Sequence, residues 1–64
     1  MWTVIYIAQS AKQAERVKDQ LTNEGFLAKI RPAHVAKQQY EILIPETELD
    51  EVREVLNDIL HSSF

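Results

Sequence analysis

The chain contains a single glycine, Gly25, and its place constrains the fold more than any other residue. Glycine is the default residue where a helix ends by turning into the left-handed backbone region. Upstream of it, Ala11, Ala14, Val17 and Leu21 recur at spacings of three and four, the period of a helix with one apolar face. Ser10 precedes that run and Gln13 follows it by three residues, the signature of a capping box. A helix is therefore expected from Ala11 to about Glu24, with Gly25 at C′ and Phe26 at C″, within reach of Leu21 in a Schellman arrangement. Its apolar stripe is narrow and small-sided, so the helix is expected to lie flat on a sheet.

The segments flanking this helix read as strands. Trp2 to Ala8 is rich in aromatic and β-branched residues. Both of its faces are apolar: Ile5 and Ile7 with Thr3 on one, Trp2, Val4 and Tyr6 on the other. The pattern alone leaves open which face turns inward. Phe26 to Arg31 alternates, Phe26, Ala28 and Ile30 against Leu27, Lys29 and Arg31, as a half-buried strand does. Pro32 stops that strand or confines it to an edge. Tyr40 to Ile44 is a third strand, with Tyr40, Ile42 and Ile44 on its expected inner face and Pro45 closing it. Thr47 with Asp50 reads as a second helix start. Glu46, Glu48, Asp50 and Glu51 crowd that start, which suits the helix dipole. Leu49, Val52, Val55, Leu56, Ile59 and Leu60 form a broad apolar stripe behind it. Fraying is expected over Ser62 to Phe64.

The order is thus strand-helix-strand-strand-helix, an α+β class. A short connection makes the second and third strands antiparallel neighbours. Placing the third strand between the other two gives a three-stranded antiparallel sheet of order 1-3-2 with both helices on one face. This is the split β-α-β of the ferredoxin-like fold lacking its last strand. Two consequences follow. The first strand lies at an edge and is long, apolar and free of charge or proline, a kind of edge that proteins rarely leave bare. The face away from the helices is expected to carry Trp2, Val4, Tyr6, Leu27 and Leu43, ringed by Lys29, Arg31 and Glu41. An apolar patch with a polar rim marks a partner or ligand surface. A homodimer is expected, through the first-strand edges, the open sheet faces, or both.

Composition bounds the alternatives. Sixty-four residues make one domain near the lower size limit for independent folding. There is no cysteine, so disulfides and thiolate zinc sites are excluded as supports. Hydrophobic residues at 45% argue against disorder. A net charge of −3 makes the chain a poor generic binder of nucleic acid. No apolar run approaches the ~20 residues of a membrane span. Met1 to Ala8 lacks the basic leader and cleavage site of a signal peptide. A cytoplasmic location is expected.

No constellation of catalytic residues emerges, and no metal or cofactor is called for. His34 and His61 are too few for a metal site without a firm carboxylate partner. Ser10 opens a helix after a strand but lacks the glycines of a nucleophile elbow, and capping accounts for it. The turn Ala8 to Ala11 offers free N–H groups but no glycine to admit a phosphate. The acidic run Glu46 to Glu54 reads as a helix start with a solvated face. Lys29, Arg31, His34 and Lys37 form a basic cluster that can hold a small anion, although a solvated basic loop accounts for the same residues.

The stretches Met1-Trp2-Thr3-Val4-Ile5-Tyr6, Glu24-Gly25-Phe26 and Glu41-Ile42-Leu43-Ile44-Pro45-Glu46 before an acidic helix resemble a family of short bacterial signal-transducing proteins, a domain of unknown function. The resemblance spans nearly the whole chain. It implies a ferredoxin-like, P-II-like fold and a cytoplasmic bacterial setting, and it brings no catalytic residues. The connection Pro32 to Gln38 has no glycine, where many members have a longer, glycine-containing one. Similar short sequences carry an enzyme name such as glutamate decarboxylase. Such an enzyme encloses pyridoxal phosphate in a large domain, which this length cannot supply. Three functions therefore compete: a dimeric regulatory or interaction module, a small-anion or metabolite sensor, and an accessory subunit of a metabolic enzyme that is not catalytic alone.

Overall fold

A computed structural model of the chain describes residues 1–33 and 38–63. The elements run β1 (Trp2–Ala8), α1 (Ala11–Asn23), β2 (Lys29–Pro32), β3 (Tyr40–Pro45), a 3-10 turn (Glu46–Glu48) and α2 (Leu49–Ser63). The sheet order is β1-β3-β2 with both pairings antiparallel. This is the expected β-α-β-β-α arrangement, with β3 at the centre and β1 and β2 at the edges.

Local chemistry explains the ends of α1. Ser10 is extended (φ −155°, ψ 160°), and its Oγ accepts the Gln13 N–H at 3.1 Å. The Gln13 side chain returns the bond by accepting the Gln9 N–H at 2.8 Å, one residue before the usual capping-box partner. At the other end Gly25 has φ +92°. The Phe26 N–H reaches the Leu21 carbonyl and the Gly25 N–H the Thr22 carbonyl, each at 3.0 Å. These are the two bonds of a Schellman motif.

The second helix starts differently from the sequence expectation. Thr47 lies inside the 3-10 turn, and Pro45, not Thr47, precedes that turn, without a side-chain cap bond. Leu49 already has helical angles (φ −57°, ψ −45°). A cap must be extended to present its side chain to the following N–H groups, and a residue within a helical turn is not. The second strand also begins later than expected, at Lys29 rather than Phe26, and includes Pro32. Proline is tolerated there because β2 is an edge strand. The helix α2 continues to Ser63, and Phe64 lies outside the described residues.

One apolar cluster joins the elements. Ala8, Ala14, Val17, Leu21, Ile42, Ile44, Val52, Leu56 and Ile59 are buried together, so both helices cover the same sheet face. Ile30, Phe26, Ala28 and Tyr40 pack against this cluster, as the alternation of the two later strands predicts. The molecule is a thin slab, with a smallest extent of 15 Å. That is the thickness of one helix layer on one sheet, so among the described residues no helix or strand layer covers the second sheet face. Among the described residues no helix is long and apolar enough to cross a membrane.

Candidate functional site

The two faces of β1 are not the two faces of its sequence pattern. Trp2, Thr3 and Val4 pair with Pro45, Ile44 and Leu43, whereas Tyr6, Ile7 and Ala8 pair with Ile42, Glu41 and Tyr40. The register shifts by one residue between Val4 and Tyr6, a β-bulge at Ile5. Directly paired residues share a sheet face, and a one-residue slip exchanges the faces. Before the bulge, Trp2 and Val4 therefore point away from the helices. After it, Ile7 does so, and Tyr6 joins Ile5 against the core. The expectation that Tyr6 shares the open face with Trp2 and Val4 is corrected by this bulge. Neither strict face of the strand is buried; each contributes half.

The open face thus carries Trp2, Val4 and Ile7 along β1, which are 41%, 40% and 38% exposed. Leu27, just ahead of β2, is 63% exposed while its neighbours Phe26 and Ala28 pack inward. Leu43 sits at the centre of this face and yet is only 3% exposed. Its cover comes from the flanking strands. The Lys29 ammonium lies 4.2 Å from the centroid of the Trp2 ring. Lys29 belongs to β2 and Trp2 to β1, so this contact bridges β3 above Leu43. A cation over an aromatic face is attracted by the ring quadrupole, and the lysine stem covers apolar surface beneath it.

Beside this bridge, Arg31 and Glu41 form an ion pair. The guanidinium Nη2 stands 2.6 Å and Nε 2.8 Å from the same carboxylate oxygen. The two described members of the basic cluster are therefore both engaged within the fold, Lys29 with Trp2 and Arg31 with Glu41. His34 and Lys37 lie outside the described residues. The structure consequently brings Trp2, Val4 and Leu43 together on one face, and it does not present Lys29 and Arg31 as free cations.

A groove of about 240 Å³ runs between the outer edge of β1 and α2, lined by Thr3, Val4, Ile5, Leu49, Val52, Arg53 and Leu56. A second hollow of about 410 Å³, lined by Ser10, Lys12, Gln13 and Arg16, lies at the start of α1. Ser10 is occupied there by its capping bond. Among the described residues no polar or charged side chain is buried, and no group of three His, Asp or Glu residues is placed to hold a metal ion. The dry environment that tunes a catalytic acid or base is thus not found among them.

Sequence reasoning missed Ile7 and the groove. The bulge that exposes Ile7 carries no glycine signal, and the groove depends on how α2 lies against β1. No family model, curated protein or solved structure matches this chain.

Proposed function

We propose that the chain is a small regulatory or interaction module that pairs with a second copy of itself through the open sheet face. The observation that carries this reading is the row of Trp2, Val4 and Ile7, each more than a third exposed, on a sheet face that no layer covers among the described residues. Apolar side chains gathered on one face mark a contact surface. Sheet-on-sheet packing, with the faces about 10 Å apart, gives that surface a natural cover. Arg31 at the β2 edge neutralises Glu41, which stands on the central strand directly opposite Ile7, so the face carries no unpaired carboxylate beside the apolar row.

The bulge favours contact through the face over contact through the strand edge. A continuous edge-to-edge ladder requires regular backbone, and a bulge is one of the devices that blunt an exposed edge. The likeness to the short bacterial signal-transducing proteins supports a regulatory role and carries a cytoplasmic bacterial setting with it.

Sedimentation over a concentration series tests this. A dimer is expected for the native chain and a monomer for Ile7→Ser combined with Leu27→Ser. Trp2 fluorescence should shift to shorter wavelength as the dimer forms. A native chain that stays monomeric at high concentration would end the proposal.

A further inference from the structure

We infer that the N-terminal half of the β1 edge, together with the groove beside α2, binds an extended peptide segment of a partner protein, with one apolar side chain in the groove and a carboxylate against Arg53. This goes beyond the open-face dimer, because the groove lies between β1 and the helix layer. Three observations converge on it. The first is the direction of the backbone. The Met1 carbonyl accepts the Glu46 N–H at 2.8 Å. Hydrogen-bonded pairs recur every second residue in an antiparallel ladder, so Thr3 bonds inward to Ile44. The N–H and C=O groups of Trp2 and Val4 then face outward from the edge.

The second is the size and lining of the groove. At about 240 Å³ it falls below the roughly 300–1,000 Å³ of small-molecule sites and suits a side chain. A strand added to the edge alternates its side chains between the two sheet faces. One would enter the groove among Ile5, Leu49, Val52 and Leu56. The next would lie on the open face beside Trp2. Backbone bonds supply affinity in such strand addition, and pockets for alternate side chains supply specificity.

The third is charge. Arg53 is the one charged residue of the groove lining. It is exposed and has neither an ion-pair partner nor a hydrogen bond among the described residues. Its neighbours on α2, Asp50, Glu51 and Glu54, are acidic and would repel an anionic segment that missed the guanidinium. An arginine with no partner among the described residues, set beside an apolar groove, favours a carboxylate in bidentate geometry. The bulge sets the length, because regular edge backbone ends at Val4. That suits a short peptide and not a second copy of β1, whose own bulge would have to cross it.

The test is a selection of random heptapeptides displayed on phage against the full chain, with the enriched sequences remade as blocked synthetic peptides and titrated by NMR. Enriched peptides are expected to alternate apolar residues and to carry Asp or Glu at one fixed position. Their binding should move the Trp2 and Val4 amides and the Arg53 side-chain signal. Arg53→Glu is exposed on a helix and should keep the fold while weakening the acidic peptides about tenfold or more. Selection against this variant should instead enrich Lys or Arg at the same position. Val4→Pro, which removes an outward N–H at an edge position, should abolish binding, with the circular dichroism spectrum reporting retention of the fold. Ile7→Ser with Leu27→Ser should disrupt the dimer while peptide binding persists in the monomer, so the two proposals fail separately. No enrichment, binding indifferent to Arg53→Glu, or shifts confined to α1 and β2 would overturn the inference.

Discussion

Ile42, Leu43 and Ile44 are consecutive on β3 and are all buried, but the two sheet faces bury them by different means. Ile42 and Ile44 lie under two helices and are fully excluded from solvent. Leu43 points the other way, where no described helix lies, and its cover comes from the flanking strands, with Val4 and Lys29 directly opposite it and Lys29 reaching on to Trp2. On the helix face, burial is a property of packed elements. On the open face, it is a property of Lys29 and Trp2, whose contact closes over the centre while the β1 margin stays apolar and exposed. The difference teaches where this molecule has surface to offer, which is along β1 and not over the middle of the sheet.

Truncation separates the faces most strongly. Ile42→Ala should cost about 2–5 kcal/mol in urea unfolding, since a cavity under the helices cannot close. Leu43→Ala should fall at the low end, about 2 kcal/mol, because Lys29 and Trp2 are free to settle into the space. Equal losses at the two positions would erase the distinction.

The helix layer itself depends on how α1 ends. Nothing lies within 4 Å of a Cβ placed on Gly25, so the cost of Gly25→Ala is backbone strain at φ +92° alone. A loss of about 1–2 kcal/mol is expected by thermal unfolding. The two helix starts give a smaller contrast. Ser10→Ala should cost about 1 kcal/mol, while Thr47→Ala, within a turn and capping nothing, should stay within about 0.5 kcal/mol.

The smallest effect probes the open face. Lys29→Met keeps the stem over Leu43 and removes only the charge above Trp2, so a loss of about 0.5–1 kcal/mol is expected. Lys29→Ala should lose more, because Leu43 becomes wetted. If the two variants match in urea unfolding, the lysine stem gives Leu43 no cover.

Much of the helix-covered face was legible in the sequence. The period of Ala14, Val17 and Leu21 and the alternation of Tyr40, Ile42 and Ile44 each name their buried side, because only one side is apolar. β1 has no such asymmetry. With Trp2, Val4 and Tyr6 opposing Ile5 and Ile7, either register buries apolar surface, and the pattern cannot choose. The structure chooses both, by placing a bulge at Ile5. The open face inherited this ambiguity: Trp2, Val4 and Leu43 share it, Tyr6 lies inward and Ile7 outward, while Leu27, ahead of β2, is exposed. The basic cluster was read from nearness in sequence, whereas Glu41, ten residues from Arg31, and Trp2, on another strand, decided what Arg31 and Lys29 touch.

By itself the sequence determined the element order, both ends of α1 and the central place of β3. Those features rest on local causes: a hydroxyl beside free N–H groups, a residue without Cβ where φ must be positive, and the period of apolar side chains. Tertiary structure alone decided the face of each β1 residue, the cover over Leu43 and the groove at Arg53. Each depends on which strand lies beside which and in what register, and residue spacing along one strand does not encode the slip of a neighbour.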